Sequence, residues 1–354
     1  MKDITDQVAQ RAAFRTSLPA AQAGIPQSDI PHHPGGLLPA QPPPPQPPDF
    51  ASCLLTAAEL SAMVMVPRTP LLGHWLREGD LGYLFAPRGG GKTWLAMLIG
   101  QAVATGGDLG LWAAGEESRP VYYFDAEMNQ QDVQARADRL GIVSEGFHWL
   151  SNEHLYMKLE HSANIADPLH QQGLSSMLPD GSVFIIDNLS TGQSGMRENE
   201  NDDFDVIKDW LLSLRRRAIT VIIIHHAGRN GEMRGGSRRE DPAHWILSLK
   251  DATEDGSCAK EFVTRFSKCR NCRERDAPPL RWALKETSGR FTVYCDPFGN
   301  TDALLTYIKD GVTSATELAD MFGVQCGTIS KWAKKLMTAG LIRKKGREYA
   351  LMEE

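Results

Sequence analysis

Nowhere in the 354-residue chain is there an uninterrupted apolar run approaching the roughly 18 residues that a membrane-spanning helix needs. The N-terminus also lacks the charged-then-apolar order of a secretory signal. Cysteine is scarce, and the six present lack the spacing of a disulfide framework, which suits a reducing compartment. A cytoplasmic protein with no membrane partner is the expectation. An excess of positive charge is missing too: the net charge of −6 excludes a uniformly basic nucleic-acid coat and confines any such binding to local patches. No internal repeat is visible. What remains is 42% hydrophobic and 23% charged, as in a globular protein with room for one sizeable domain and a smaller one.

Residues 1–50 hold Pro-His-His-Pro and the run Gln41–Pro48, with too few large apolar residues to build a core. They read as a disordered Pro-rich arm with room for a short helix over residues 3–15; a proline-motif ligand is the sharper alternative. Thr56 and Glu59 form a capping-box pattern that predicts a short helix. The runs Gly82–Phe85, Val121–Phe124, Val183–Ile186, Val221–Ile224 and Trp245–Leu249 then alternate with amphipathic segments. Between the third and fourth, Phe204, Ile207, Leu211 and Leu214 recur at helical spacing, with Trp210 on the same face. Continuous apolar strands separated by helices predict an α/β fold, a mostly parallel sheet covered on both faces. Glu261–Ser267, Leu280–Leu284 and Phe291–Cys295 predict an antiparallel extension of that sheet. The expected organisation is an arm over 1–50, a domain over 51–298 and a smaller domain over 299–354.

The segment Ala86-Pro87-Arg88-Gly89-Gly90-Gly91-Lys92-Thr93 lies between the first apolar run and a helix-like stretch starting at Trp94. It fits the phosphate-binding pattern GxxxxGK[ST], with Ala86 at the first glycine position. Glycines let backbone N–H groups converge on phosphates, and the following helix adds its positive dipole end. Lys92 would reach the β- and γ-phosphates of ATP, and the Thr93 hydroxyl would hold Mg²⁺. Residues Pro87 to Trp94 are the expected nucleotide contacts.

Asp187 ends the run Val183–Ile186, so its carboxylate would emerge at the carboxyl edge of the sheet, where ligands bind in open α/β folds. There it could hold Mg²⁺ directly or through water. Glu127 lies just past the end of the second run and is the candidate for orienting or deprotonating an attacking water. Asp125, still at the strand terminus, is the competitor and reads as structural. His225 and His226 close the fourth run with no third ligand nearby for zinc, and His226 would face the γ-phosphate.

Tyr123–Glu127, Val183–Asp187 and Val221–His226, in this order after the phosphate loop, resemble the RecA-like ATPases, most nearly the hexameric replicative helicases of the plasmid RepA type. The resemblance covers about residues 55–295. It implies Glu127 as catalytic carboxylate, Asp187 as Mg²⁺ ligand and His226 as sensor. It also implies a homo-hexameric ring with ATP at each interface, single-stranded DNA in the central channel, and a replication initiator or primase as a further partner. A ring needs a positive group from the neighbouring subunit, and Lys268-Cys269-Arg270 has the Lys-x-Arg form seen in such motors. The plasmid helicases place an arginine before a tryptophan where this chain has His244 before Trp245, so Arg238 and Arg239 are alternatives. Such proteins put a DNA-contacting loop after the sensor strand, which here would offer Arg229, Arg234, Arg238 and Arg239 among glycines; an ordinary solvated loop is the other reading. The acidic run 198–205 would face away from DNA. Cys269 and Cys272 lack the second pair that a zinc site requires.

From Cys326 to Arg347 there are seven basic residues and no acidic one: Lys331, Lys334, Lys335, Arg343, Lys344, Lys345 and Arg347. Helices predicted over 316–324 and 328–339, followed by a basic two-stranded wing over 340–351, resemble a winged helix-turn-helix domain. Thr328, Ser330, Lys331, Lys334 and Lys335 would lie on the recognition helix, and Lys344, Lys345 and Arg347 would meet phosphates. A partner-docking module is the other reading.

Overall fold

A computed structural model describes residues 49–193, 201–227, 240–253, 257, 259–273, 276–322, 324–346 and 348–352. Residues 1–48 of the Pro-rich arm, with the predicted helix over 3–15, and Arg229, Arg234, Arg238, Arg239 and Arg347 lie outside the described residues, as do the acidic side chains of the run up to residue 204. The chain divides into two compact units, Met1–Met65 and Val66–Glu354. In the first, the Thr56 hydroxyl accepts from the Glu59 N–H at 3.2 Å and the Glu59 carboxylate accepts from the Thr56 N–H at 2.7 Å. This reciprocal cap starts the helix Ala57–Ala62.

The second unit opens on a short antiparallel hairpin, β1 (Pro70–Leu72) with β2 (Leu76–Arg77). The main sheet is built from β3 (Leu81–Ala86), β4 (Val121–Asp125), β5 (Phe147–Ser151), β6 (Val183–Asp187), β7 (Thr220–His226), β8 (Trp245–Asp251), β9 (Ala259–Cys269), β10 (Leu280–Thr287) and β11 (Arg290–Pro297). Its nine strands run in the order β11-β10-β9-β8-β3-β7-β6-β4-β5. From β8 to β5 every pairing is parallel, and β9, β10 and β11 extend the sheet in antiparallel register. This is the predicted α/β architecture, with the antiparallel extension where the short runs placed it.

Alternation along each strand explains why the apolar runs are continuous. Tyr83, Phe85, Val221, Ile223, Phe184 and Ile186 face one layer, which includes Ile207, Trp210, Leu211 and Leu214 of the helix Asn201–Arg216. Leu84, Ile222, Ile224, Tyr123 and Ile185 face the other, which includes Leu95, Met97, Leu98 and Ile99 of the helix Lys92–Thr105. Each fully buried large side chain contributes about 1.5–3 kcal/mol, so both faces must be covered. Under the antiparallel extension lies an aromatic block, with ring centroids 4.7 Å apart for Trp75 and Trp245, 5.0 Å for Trp75 and Trp112, and 4.9 Å for Trp112 and Trp282. It packs the β1–β2 hairpin to the sheet.

After β11, the helices Asn300–Lys309, Ala315–Phe322 and Cys326–Thr338 precede a hairpin of β12 (Ile342–Lys345) and β13 (Glu348–Leu351). Leu304, Ile308, Leu318, Ile329, Ala333, Leu336, Ile342 and Tyr349 form a core of their own. Lys331, Lys334, Lys335, Lys344 and Lys345 are exposed on the last helix and on β12.

Candidate functional site

Strand β3 ends at Ala86, and the chain turns through the glycine loop into the helix Lys92–Thr105. Gly91 caps that helix at φ +93°, a conformation that strains any residue with a Cβ. A Cβ there would lie 2.8 Å from the Phe262 ring, and one on Gly90 would lie 2.9 Å from the Ala86 Cβ. The loop is therefore a cradle whose backbone can approach a ligand only because side chains are missing. The Lys92 ammonium donates to the carbonyls of Ala86 and Pro87, each at 2.9 Å, and so is folded back under the loop. Burial lowers its pKa, against the pull of Asp187 and Glu127.

A cleft of about 330 Å³ opens over this loop, lined by Arg88 to Trp94 with Glu127, Met128, Arg136, Asp187 and His226. Three strand ends deliver the acidic and polar side chains. Asp187 ends β6 and pairs in register with Asp125, which ends β4. The Tyr123 hydroxyl donates to Asp187 Oδ2 at 2.6 Å, and the Thr93 side chain also hydrogen-bonds this carboxyl. Burial nonetheless pushes Asp187 up to about 6, with Asp125 and Glu127 adding to the rise. Asp125 Oδ1 accepts from the N–H groups of Glu127 and Met128, at 2.9 and 2.8 Å, and so shapes the turn that presents Glu127.

Glu127 accepts a hydrogen bond from Asn188 Nδ2, and its Oε2 lies 3.9 Å from His226 Nε2. Asn188 Nδ2 is also 3.3 Å from His226 Nε2. Asn188 thus bridges the acid and the histidine at the ends of three adjacent strands. Arg136, from the helix Gln130–Leu140, stacks over the Trp94 ring at 5.1 Å and completes one wall. Tyr123, Met128, Arg136 and Asn188 escaped the sequence reading: Asn188 had a signal, as the residue after Asp187, whereas nothing local directs Arg136 to Trp94.

The donor set fits a nucleotide with a divalent cation. A hydroxyl and a carboxylate at one point, Thr93 and Asp187, are hard oxygen ligands, and the surrounding acids give the position a negative field that favours a dication. The glycine cradle and Lys92 suit phosphate oxygens.

Not every candidate joins this cleft. Cys269 pairs with Trp245, at the amino end of β8, so Lys268 and Arg270 sit at the sheet edge opposite the phosphate loop. Lys268 Nζ bonds the Glu240 carbonyl, and Arg270 Nη2 donates to the Asp241 carbonyl at 3.0 Å. His244, beside them, accepts from the Leu81 N–H at 3.1 Å through Nδ1. Burial and the charges of Arg215, Arg68 and Arg270 lower its pKa to about 4, so it stays neutral.

Residues 42–232 match the family model described as the AAA domain, over the stretch that holds the phosphate loop, Glu127, Asp187 and His226. The chain belongs to the AAA domain family. The matched stretch holds the glycine loop and the three strand ends that deliver Glu127, Asp187 and His226 to the cleft. The DNA repair protein RadA of Campylobacter jejuni is 26% identical over 201 residues, 55% of this chain and 40% of that relative. The chain therefore spans about two-fifths of the curated relative that it matches. Among solved structures, the flagellar accessory protein FlaH of Methanocaldococcus jannaschii is similar at TM-score 0.42 and 10% identity, covering 61% of this chain and 89% of FlaH. The KaiC-like protein PH0186 of Pyrococcus horikoshii OT3 gives TM-score 0.42 and 15% identity, covering 62% of this chain and 91% of PH0186. No helix among the described residues is long and apolar enough to cross a membrane.

Proposed function

We propose that the protein is an ATP-hydrolysing, ring-forming DNA motor, a helicase for replication of a plasmid or mobile element. The observation that supports this best is the clustering of Glu127, Asn188 and His226 over the phosphate loop. Lys92 and the loop from Pro87 to Trp94 bind the phosphates. Thr93 and Asp187 hold Mg²⁺, which supplies charge neutralisation on the phosphate oxygens. Glu127 orients the attacking water, and Asn188 transmits its position to His226, which reports nucleotide state to the segment that follows. Arg136 stacked on Trp94 forms a cationic, aromatic wall for the nucleotide.

Lys268 and Arg270 stand the length of β8 away from this chain's own loop, which supports their action on a neighbouring copy's phosphate in a homo-hexamer. Arg229, Arg234, Arg238 and Arg239 would meet single-stranded DNA in the channel. The three-part organisation 1–50, 51–298 and 299–354 assigns the C-terminal unit as a winged helix whose Lys331, Lys334, Lys335, Lys344, Lys345 and Arg347 meet duplex DNA. The relative's name, a DNA repair protein, agrees with a DNA substrate. A cytoplasmic location and an initiator or primase partner belong to the same proposal. The exposed basic helix and hairpin also favour a second reading, a DNA-bound regulatory ATPase that does not unwind.

The test is ATP turnover with and without single-stranded DNA, together with strand displacement on a forked duplex. Stimulated turnover and unwinding, both abolished in Lys92→Ala, are expected of the motor. Hydrolysis without displacement selects the regulator, and no hydrolysis removes both.

A further inference from the structure

The pair Cys269 and Cys272 has no place in nucleotide chemistry, yet the fold holds it closely. Strand β9 ends at Cys269, and the chain turns so that the two sulfurs lie 2.9 Å apart, half-buried against the aromatic block. The residues between them are pinned by groups other than the thiols. The Arg270 N–H donates to the His244 carbonyl at 2.8 Å, and Asn271 Nδ2 donates to the Trp75 carbonyl at 2.6 Å and to Asp80 Oδ2 at 2.5 Å. Asp80 is itself buried and bonded to Arg68 at 2.6 Å. The frame, not a bond between sulfurs, brings the thiols into contact. Among the described residues no cluster of His, Cys, Asp or Glu could complete a metal site there.

We propose that Cys269 and Cys272 are a redox modification site, forming a reversible intrachain disulfide that fixes the turn carrying Arg270. The oxidant is a small disulfide of the oxidised-glutathione class. The Cys269 thiolate attacks one of its sulfurs and expels one small thiolate, leaving a mixed disulfide. The Cys272 thiolate then attacks the Cys269 sulfur and expels the second. Two protein thiols lose two protons and two electrons, and the small disulfide is reduced to two thiols. Burial and the touching Cys269 push the Cys272 thiol up to about 12.

The full-length chain is equilibrated across ratios of oxidised to reduced glutathione, quenched in acid, alkylated and digested with trypsin. Cleavage after Lys268, Arg270 and Arg273 leaves Cys269–Arg270 and Asn271–Arg273 joined only through a disulfide. The linked pair, lighter by two hydrogen atoms than its free peptides, is expected in oxidising mixtures. It disappears with dithiothreitol and in Cys269→Ser and Cys272→Ser. In the oxidised form, amide exchange over residues 270–272 slows at least about threefold. Alkylated, unlinked peptides at every ratio, links to other cysteines, stoichiometric zinc lost in the same variants, or unchanged exchange in the linked form each overturn the proposal. Turnover of the assembled protein is a separate arm, because it rests on reading Arg270 as the group offered to a neighbour. Unchanged kcat in a chain shown to be linked counts against that role of Arg270, not against the disulfide.

Discussion

Glu127 keeps its side chain 49% exposed while Asn188 ties down its carboxylate beside His226. A group that must meet water and stay oriented needs both conditions. Replacing it with glutamine preserves the hydrogen-bonding shape and removes the basic oxygen. Glu127→Gln should retain nucleotide binding and lose about 10²–10⁴ in kcat, measured by phosphate release and calorimetric titration. Asp187 allows a pH prediction. Its folded pKa of about 6 lies above the ordinary 3.8, so the folded state holds the proton more tightly than the unfolded chain does. Its stabilising share is full below about pH 4 and is lost as pH rises through about 6, by at most about 3 kcal/mol. In magnesium-free buffer, Asp187→Asn should gain stability relative to the natural chain across that window, as read by denaturant unfolding at successive pH values. A flat difference between the two proteins would remove the burial account of Asp187.

At the scale of elements, the turn from β3 into the helix Lys92–Thr105 is tightly constrained. Gly91→Ala adds a Cβ at positive φ and 2.8 Å from Phe262. It should cost about 1–3 kcal/mol and weaken nucleotide binding, checked by thermal melting and titration. Substitution without loss on either count would mean that the loop has space the packing denies. The same turn was legible in the sequence, as were Asp187 and the histidines, because continuous apolar runs end where the polar residue begins. Less legible was β5, which sits at the sheet edge with His148 exposed and so never forms an apolar run. The β1–β2 hairpin is too short for periodicity, and its Trp75 acquires meaning only when it meets Trp112 and Trp245, with Trp282 against Trp112. Arg136 belongs to a polar helix whose pattern says nothing about which side chain will cross to Trp94. Local pattern identifies strands and their ends; contacts between distant segments need the fold.

For the whole molecule, the three helices and hairpin after β11 share a hydrophobic cluster of their own and expose lysines on the last helix and on β12. Deleting residues 301–354 should weaken duplex binding and flatten its salt dependence, since each phosphate contact contributes about −0.9 to the log–log slope. An unchanged slope, measured by binding at several salt concentrations, would mean that these lysines do not meet phosphates. Strand β9 joins two distant places in the molecule. Phe262 packs against Gly91 near one end, and Arg270 follows directly after the other, about 25 Å along at strand spacing. Between them β9 shifts register against β8 at Ser267, so the strand bends before it reaches the guanidinium. If copies assemble in a ring, this one strand would link the loop that holds a copy's own nucleotide to the side chain it offers its neighbour.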